Sequence, residues 1–152
     1  MQFPRVLAAA ATVATLVATV ALAPDAVAAS TSGAKITAIY FDSPGADRGG
    51  NTSLNGEWVR IKNYTSTRKT LTGWTLRDRQ NHVYKFSTFT LAAGATVRIH
   101  TGSGSNTASN RYWRQSWYVW NNGGDTAYLR NAAGTLRDTC AYTSAKDPEV
   151  FC

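Results

Sequence analysis

Residues 117–130 read WYVWNNGGDTAYLR. Two tryptophans and two tyrosines enclose Asn, Gly and Asp, and such a set suits three chemistries. Aromatic faces beside side-chain amides can hold a sugar. Oxygen donors in a tight loop can hold a hard metal ion. The string also describes two strands around a turn, because Asn and Gly tolerate positive φ and Asp caps its own backbone. The turn is the reading expected here. WYVW forms one strand, NNGGD the loop and TAYLR the returning strand, with Ala127 and Leu129 inward and Thr126, Tyr128 and Arg130 outward. Alternation then separates Trp117 and Val119 from Tyr118 and Trp120, which weakens a sugar platform.

Two other groups of residues bear on chemistry. The stretch DSPGADRGGNTSLNGE, residues 42–57, carries the oxygen donors Asp42, Asp47, Asn51, Asn55 and Glu57. Its spacing matches no EF-hand and Arg48 stands in its middle, so a turn-rich connection is expected. Calcium is the one cofactor this loop leaves open, and none is assigned. In EWVRIKN, residues 57–63, Trp58, Arg60 and Lys62 share the face opposite Val59 and Ile61. In GWTLRDR, residues 73–79, Arg77 and Arg79 lie opposite Trp74 and Leu76, and Trp74 is expected in the core. If these two strands are neighbours, Trp58, Arg60, Lys62, Arg77 and Arg79 form a basic patch with one aromatic. Such patches hold polyanions, and bases or sugars stack on the indole. A merely solvated sheet face would carry the same residue types.

Motifs for catalysis are missing from the sequence. Its two histidines are His82, beside a turn, and His100, at a strand end. There is no G-x-S-x-G nucleophile elbow, H-E-x-x-H or H-x-H. Asp78 and Asp138 each follow an arginine and read as solvated charges rather than an acid/base pair. No catalytic or metal-binding residue is assigned.

The elements that must position these groups read as β throughout. Strands are expected at 35–41, 57–63, 74–79, 82–86, 96–101, 117–120, 126–131 and 135–142, with a shorter one at 69–71. The alternation in EWVRIKN, GWTLRDR and TVRIH indicates antiparallel strands with one wet face. DRQNH and NAAGT suit hairpins, and LAAGA a loop whose Gly takes positive φ.

Composition bounds the setting. The chain has 152 residues, a one-domain length. Arg5, an uncharged stretch at 6–23 and Ala26-Val27-Ala28 read as a secretory signal peptide over 1–28, cleaved before Ala29. Arg5 and Asp25 would leave with it, so the remainder keeps the formal charge of +7. An exported basic protein meets polyanions, although no run of adjacent basic residues is present. The two cysteines, Cys140 and Cys152, form a disulfide in an oxidising compartment.

The motifs also have a familiar order. EWVRIKN at 57–63 is followed by LTGWTLRD at 71–78, HVYKF at 82–86, TLAAGATVRIHTGSGSNT at 90–107 and WNNGGDTAYLRNAAGTLRDT at 120–139. This series resembles the lamin tail domain, which closes nuclear lamins and occurs in many exported bacterial proteins; the bacterial form is the nearer. The resemblance implies an all-β, immunoglobulin-like sandwich of antiparallel strands over 35–142, after a short leader at 29–34 and before a tail at 143–152 tied by the disulfide. It implies no catalytic residues, since the family has no general activity and often accompanies enzymes such as nucleases or phosphatases as an accessory module. The expected protein is a secreted, non-catalytic module that binds an extracellular or cell-surface partner: a polyanion such as nucleic acid or an acidic wall polymer, or a protein. An extracellular hydrolase with an unrecognised site and a structural matrix or coat protein are the alternatives. A deep pocket with paired titratable groups would mark the first, and a long exposed sheet edge the second.

Overall fold

The structure is a computed structural model that describes residues 33–143 and 147–152. The expected signal peptide, residues 1–28, and residues 29–32 of the expected leader lie outside the described residues. Gly33 and Ala34 do not extend that leader. The Tyr64 N–H donates to the Gly33 carbonyl at 2.8 Å, and Ala34 is buried at the start of a strand.

Eleven strands and one helical turn are present among the described residues: β1 Ala34–Tyr40, α1 Asn51–Leu54, β2 Trp58–Asn63, β3 Lys69–Thr70, β4 Thr75–Arg77, β5 Val83–Lys85, β6 Thr90–Leu91, β7 Thr96–His100, β8 Asn110–Tyr112, β9 Gly124–Arg130, β10 Leu136–Thr143 and β11 Glu149–Phe151. They build a five-stranded sheet in the order β11-β1-β2-β7-β8, a four-stranded sheet β10-β9-β4-β5 and a two-stranded ribbon β3-β6. All pairs are antiparallel except β7 with β8. Apolar residues at every second position drive this arrangement. Ile36, Val59, Ile61, Val97 and Ile99 from the first sheet meet Leu76, Ala127 and Leu129 from the second in one buried cluster. A bulge between Ile36 and Ala38 lets Ile39 join them on the inner face while Ala38 faces out with Arg60.

The turns follow from their residues. Asn81 takes φ 73° in the β4–β5 turn, where the His82 N–H donates to Asp78 Oδ1 at 2.7 Å. Gly134, at φ 82°, closes the 131–135 hairpin, whose amides at Ala133 and Thr135 donate to Asn131 Oδ1. The disulfide joins Cys140 of β10 to Cys152, just past β11, with Cα atoms 5.8 Å apart. It therefore staples one sheet to the other and holds β11 along the edge of β1.

One expected strand is absent. Residues 117–120 have no ladder partner, and Val119 and Trp120 are buried consecutively rather than alternately. Their amides are satisfied by a side chain instead: Val119 N–H donates to Glu57 Oε2 at 3.0 Å and Trp120 N–H to Glu57 Oε1 at 2.8 Å. The short elements α1, β6, β8 and β11 were not expected from the sequence: the strands among them run two or three residues and are held by pairing with other strands, and α1 is a single turn closed by its own backbone bonds.

Candidate functional site

Ladder register assembles the candidate face. Residues paired across antiparallel strands share a side of the sheet. Trp58 is paired with Tyr40 on one side and His100 on the other, Arg60 with Ala38 and Arg98, and Lys62 with Lys35 and Thr96. Glu149 and Phe151 continue the first two rows onto β11, and Asn110 and Tyr112 continue them onto β8. The outer face of the five-stranded sheet thus has an aromatic row, Tyr40, Trp58, His100 and Tyr112. The next row carries Arg60 and Arg98, and the third Lys35 and Lys62. The Tyr40 and Trp58 rings stack with centroids 5.6 Å apart, and those of His100 and Tyr112 at 5.1 Å. The guanidinium of Arg98 sits 4.7 Å from the Trp58 ring centre, and that of Arg60 6.0 Å from it. These contacts fix the side chains without neutralising them, since a π face carries no counter-charge. Among the described residues, Glu149 is the carboxylate these rows bring to the face.

The five residues expected to make one patch divide between two sheets. Trp58, Arg60 and Lys62 lie together on β2. Arg77 lies on β4, in the opposite sheet, where its guanidinium is 5.8 Å from the Tyr128 ring centre and donates to Asn81 Oδ1 at 3.0 Å. Arg79 is exposed in the turn beyond β4, with its backbone N–H on Asp125 Oδ1 at 3.1 Å. The outward faces of β2 and β4 look away from each other across the core, so the two groups cannot contact one ligand surface. Lys35 and Arg98 replace the missing pair. The alternation of TVRIH already put Arg98 outward, but only the register β2–β7 shows that it stands beside Arg60.

Three of the carboxylates are withdrawn inward. Glu57, Asp78 and Asp125 are each at most 1% exposed. Asp78 is therefore not the solvated charge expected from its arginine neighbour. Its Oδ2 lies 2.6 Å from His82 Nδ1, and its Oδ1 receives the His82 amide. Gln80, with its amide nitrogen turned inward, links Asp78 Oδ2 at 2.9 Å to Asp125 Oδ2 at 3.1 Å. This network braces the β4–β5 turn against the start of β9. It also leaves an imidazole oriented by a carboxylate, part of a hydrolytic constellation, but among the described residues no hydroxyl or thiol is bonded to His82. Glu57 is different. Burial pushes its carboxyl up from 4.5 to about 7, the two backbone N–H donors oppose that rise, and the nearby Asp47 charge adds to it.

The oxygen donors of the 42–57 loop are dispersed. Asn51 and Asn55 amides donate to the Ser103 carbonyl at 3.0 and 2.8 Å, and Glu57 is committed to Val119 and Trp120. Asp42 and Asp47 stay together at the surface, both accepting from Asn122 Nδ2. No cluster of three or more acidic, His or Cys side chains suited to a metal occurs among the described residues.

Two facing sheets with a common apolar core define a small immunoglobulin-like β-sandwich. Residues 27–144 match the family model of the Lamin Tail Domain, and the chain belongs to that family. It is a family of non-enzymatic, immunoglobulin-like modules. A search of curated proteins found no match.

Proposed function

We propose that this protein is an exported, non-catalytic binding module that holds a polyanion on the outer face of its five-stranded sheet. The observation that carries the reading is the register that aligns Arg60 with Arg98 and Lys62 with Lys35, one row away from Tyr40 and Trp58. Cations in rows track a string of phosphates or carboxylates, and a partly exposed indole offers a stacking surface to a base or sugar. The formal charge of +7 and the inward placement of Glu57, Asp78 and Asp125 make the outside more basic than the composition suggests. Export is supported by the Arg5-to-Ala28 pattern and by the Cys140–Cys152 bond, a chemistry of oxidising compartments.

The test is a salt titration of binding to single-stranded DNA and to a teichoic-acid-type phosphate polymer. Affinity is expected to fall steeply with salt, because each neutralised phosphate releases condensed counterion. The triple variant Arg60→Ser, Lys62→Ser, Arg98→Ser should lose binding to both polymers while staying folded, since none of these side chains enters the core. Trp58→Ala should weaken DNA binding more than phosphate-polymer binding, where stacking has no partner. Absence of binding at low salt, or full binding by the triple variant, would refute the proposal.

A further inference from the structure

At the loop end of the sandwich a second surface has a different chemistry. A groove of about 340 Å³ lies between Asp47 and residues 117–122, lined by Asp47, Trp117, Tyr118, Trp120, Asn121 and Asn122. It is small for a ligand site but within the usual range. Trp117 is 59% exposed, and the six-membered ring of its indole lies against Gly49 so closely that a Cβ there would come within 2.6 Å of it. A glycine at 49 is what permits this approach. Tyr118 edges against Trp117 with centroids 5.5 Å apart, and its hydroxyl is within 2.7 Å of Ser53 Oγ. The large exposed aromatic is thus held rather than free to collapse onto the surface.

The polar side of the groove is also set before any ligand arrives. Asn122 Nδ2 donates to Asp42 Oδ1 at 3.1 Å and to Asp47 Oδ2 at 3.3 Å. Among the described residues, Asp42 Oδ2, Asp47 Oδ1 and Asn122 Oδ1 make no hydrogen bond, and all three residues are exposed, so one small cluster holds three open planar acceptors. A second observation is independent of this cluster. Trp120 lines the same groove at 1% exposure, and its Nε1–H has no acceptor among the described residues. A buried donor left unpaired is uncommon and calls for a partner.

The geometry points to a binding site for a neutral pyranose ring of a β-linked glycan. An exposed indole packs against the flat C–H face of an all-equatorial sugar, a contact of apolar area with fixed orientation. Carboxylate and amide oxygens accept from adjacent hydroxyls, which supply the donors these acceptors lack. Acidic sugars and phosphates are disfavoured, because Asp47 lines the groove, Asp42 is hydrogen-bonded to its Asn122, and no basic side chain is among its lining residues. The site is therefore opposite in charge preference to the sheet face and does not depend on it.

The experiment titrates the folded protein with cellohexaose, chitohexaose and xylohexaose, following tryptophan fluorescence and heat. At least one should bind saturably, with an affinity unchanged by added salt. Trp117→Ala should weaken that binding by about tenfold or more, and Asp47→Ala by several-fold. Both residues are exposed, so both variants should keep the parent's far-UV spectrum; if Trp117→Ala does not fold, Asp47→Ala decides. The triple variant of the sheet face should bind the sugar as the parent does. The proposal is overturned if none of the three oligosaccharides binds at roughly 10 mM, if the folded variants bind as well as the parent, or if Trp117→Ala instead abolishes binding to single-stranded DNA, which would make the groove an extension of the polyanion face.

Discussion

Glu57→Gln separates the electrostatic role of this residue from its shape. In the parent, the carboxylate takes two backbone donors, Val119 N–H and Trp120 N–H, inside a fully buried site. Desolvation raises its pKa from 4.5 to about 7. The folded protein therefore holds a proton on Glu57 at pH values where the unfolded chain has lost it. The sign follows: stability is greatest below the unfolded pKa, falls as pH rises towards the folded pKa, and levels off above it. The shift corresponds to about 3 kcal/mol across that window. Glutamine cannot titrate, so this loss should vanish in the variant. Its amide nitrogen would face one of the two N–H donors, leaving a buried donor unpaired at a cost of about 1–3 kcal/mol at every pH. The variant should thus be clearly weaker than the parent under acid conditions and close to it under mildly alkaline ones. Urea unfolding of both proteins from about pH 4 to about pH 8 measures this directly, because other groups contribute alike to both curves and cancel in the difference. Parallel curves, separated by a constant offset, would refute the reasoning: Glu57 would then be charged throughout the range.

Three further outcomes are expected. The folded protein should show no free thiol until reduced, and Cys140→Ser with Cys152→Ser should lower stability by about 3 kcal/mol, the loop-closure value for a bridge of this span; chemical denaturation checks it. Replacing Arg77 and Arg79 by Ser should leave affinity for the phosphate polymer far less altered than replacing Arg60 and Arg98, a difference that equilibrium titrations at one salt concentration would resolve. In protein recovered from culture medium, intact mass should place the N-terminus at or beside Ala29, whereas a full-length, membrane-retained species would contradict the export proposal.

What could be read from the chain is what is written in short-range order. Val59 and Ile61, or Ala127 and Leu129, declare an inner face by period alone, and Asn81 and Gly134 declare turns by the φ they accept. The candidate face was half legible for the same reason. Trp58, Arg60 and Lys62 reveal their side locally, but their neighbours depend on which strands pair, and a period of two is silent about that. Arg77 follows the same pattern as Arg60 and ends in the other sheet. The corner at 117–120 was misread because its backbone donors are met by a carboxylate some sixty residues earlier (62 for Val119, 63 for Trp120). Glu57 was misread in turn as a loop oxygen donor. The two errors have a single cause: one buried side chain takes the place of a missing strand. That substitution lets Trp117 turn outward although Val119, two residues on, is buried, a pairing that strict alternation would have forbidden. The groove exists because the local rule fails there, so Glu57→Ala, which removes both hydrogen bonds at once, should disorder the groove's aromatic wall before it disturbs the rows of Arg60 and Arg98.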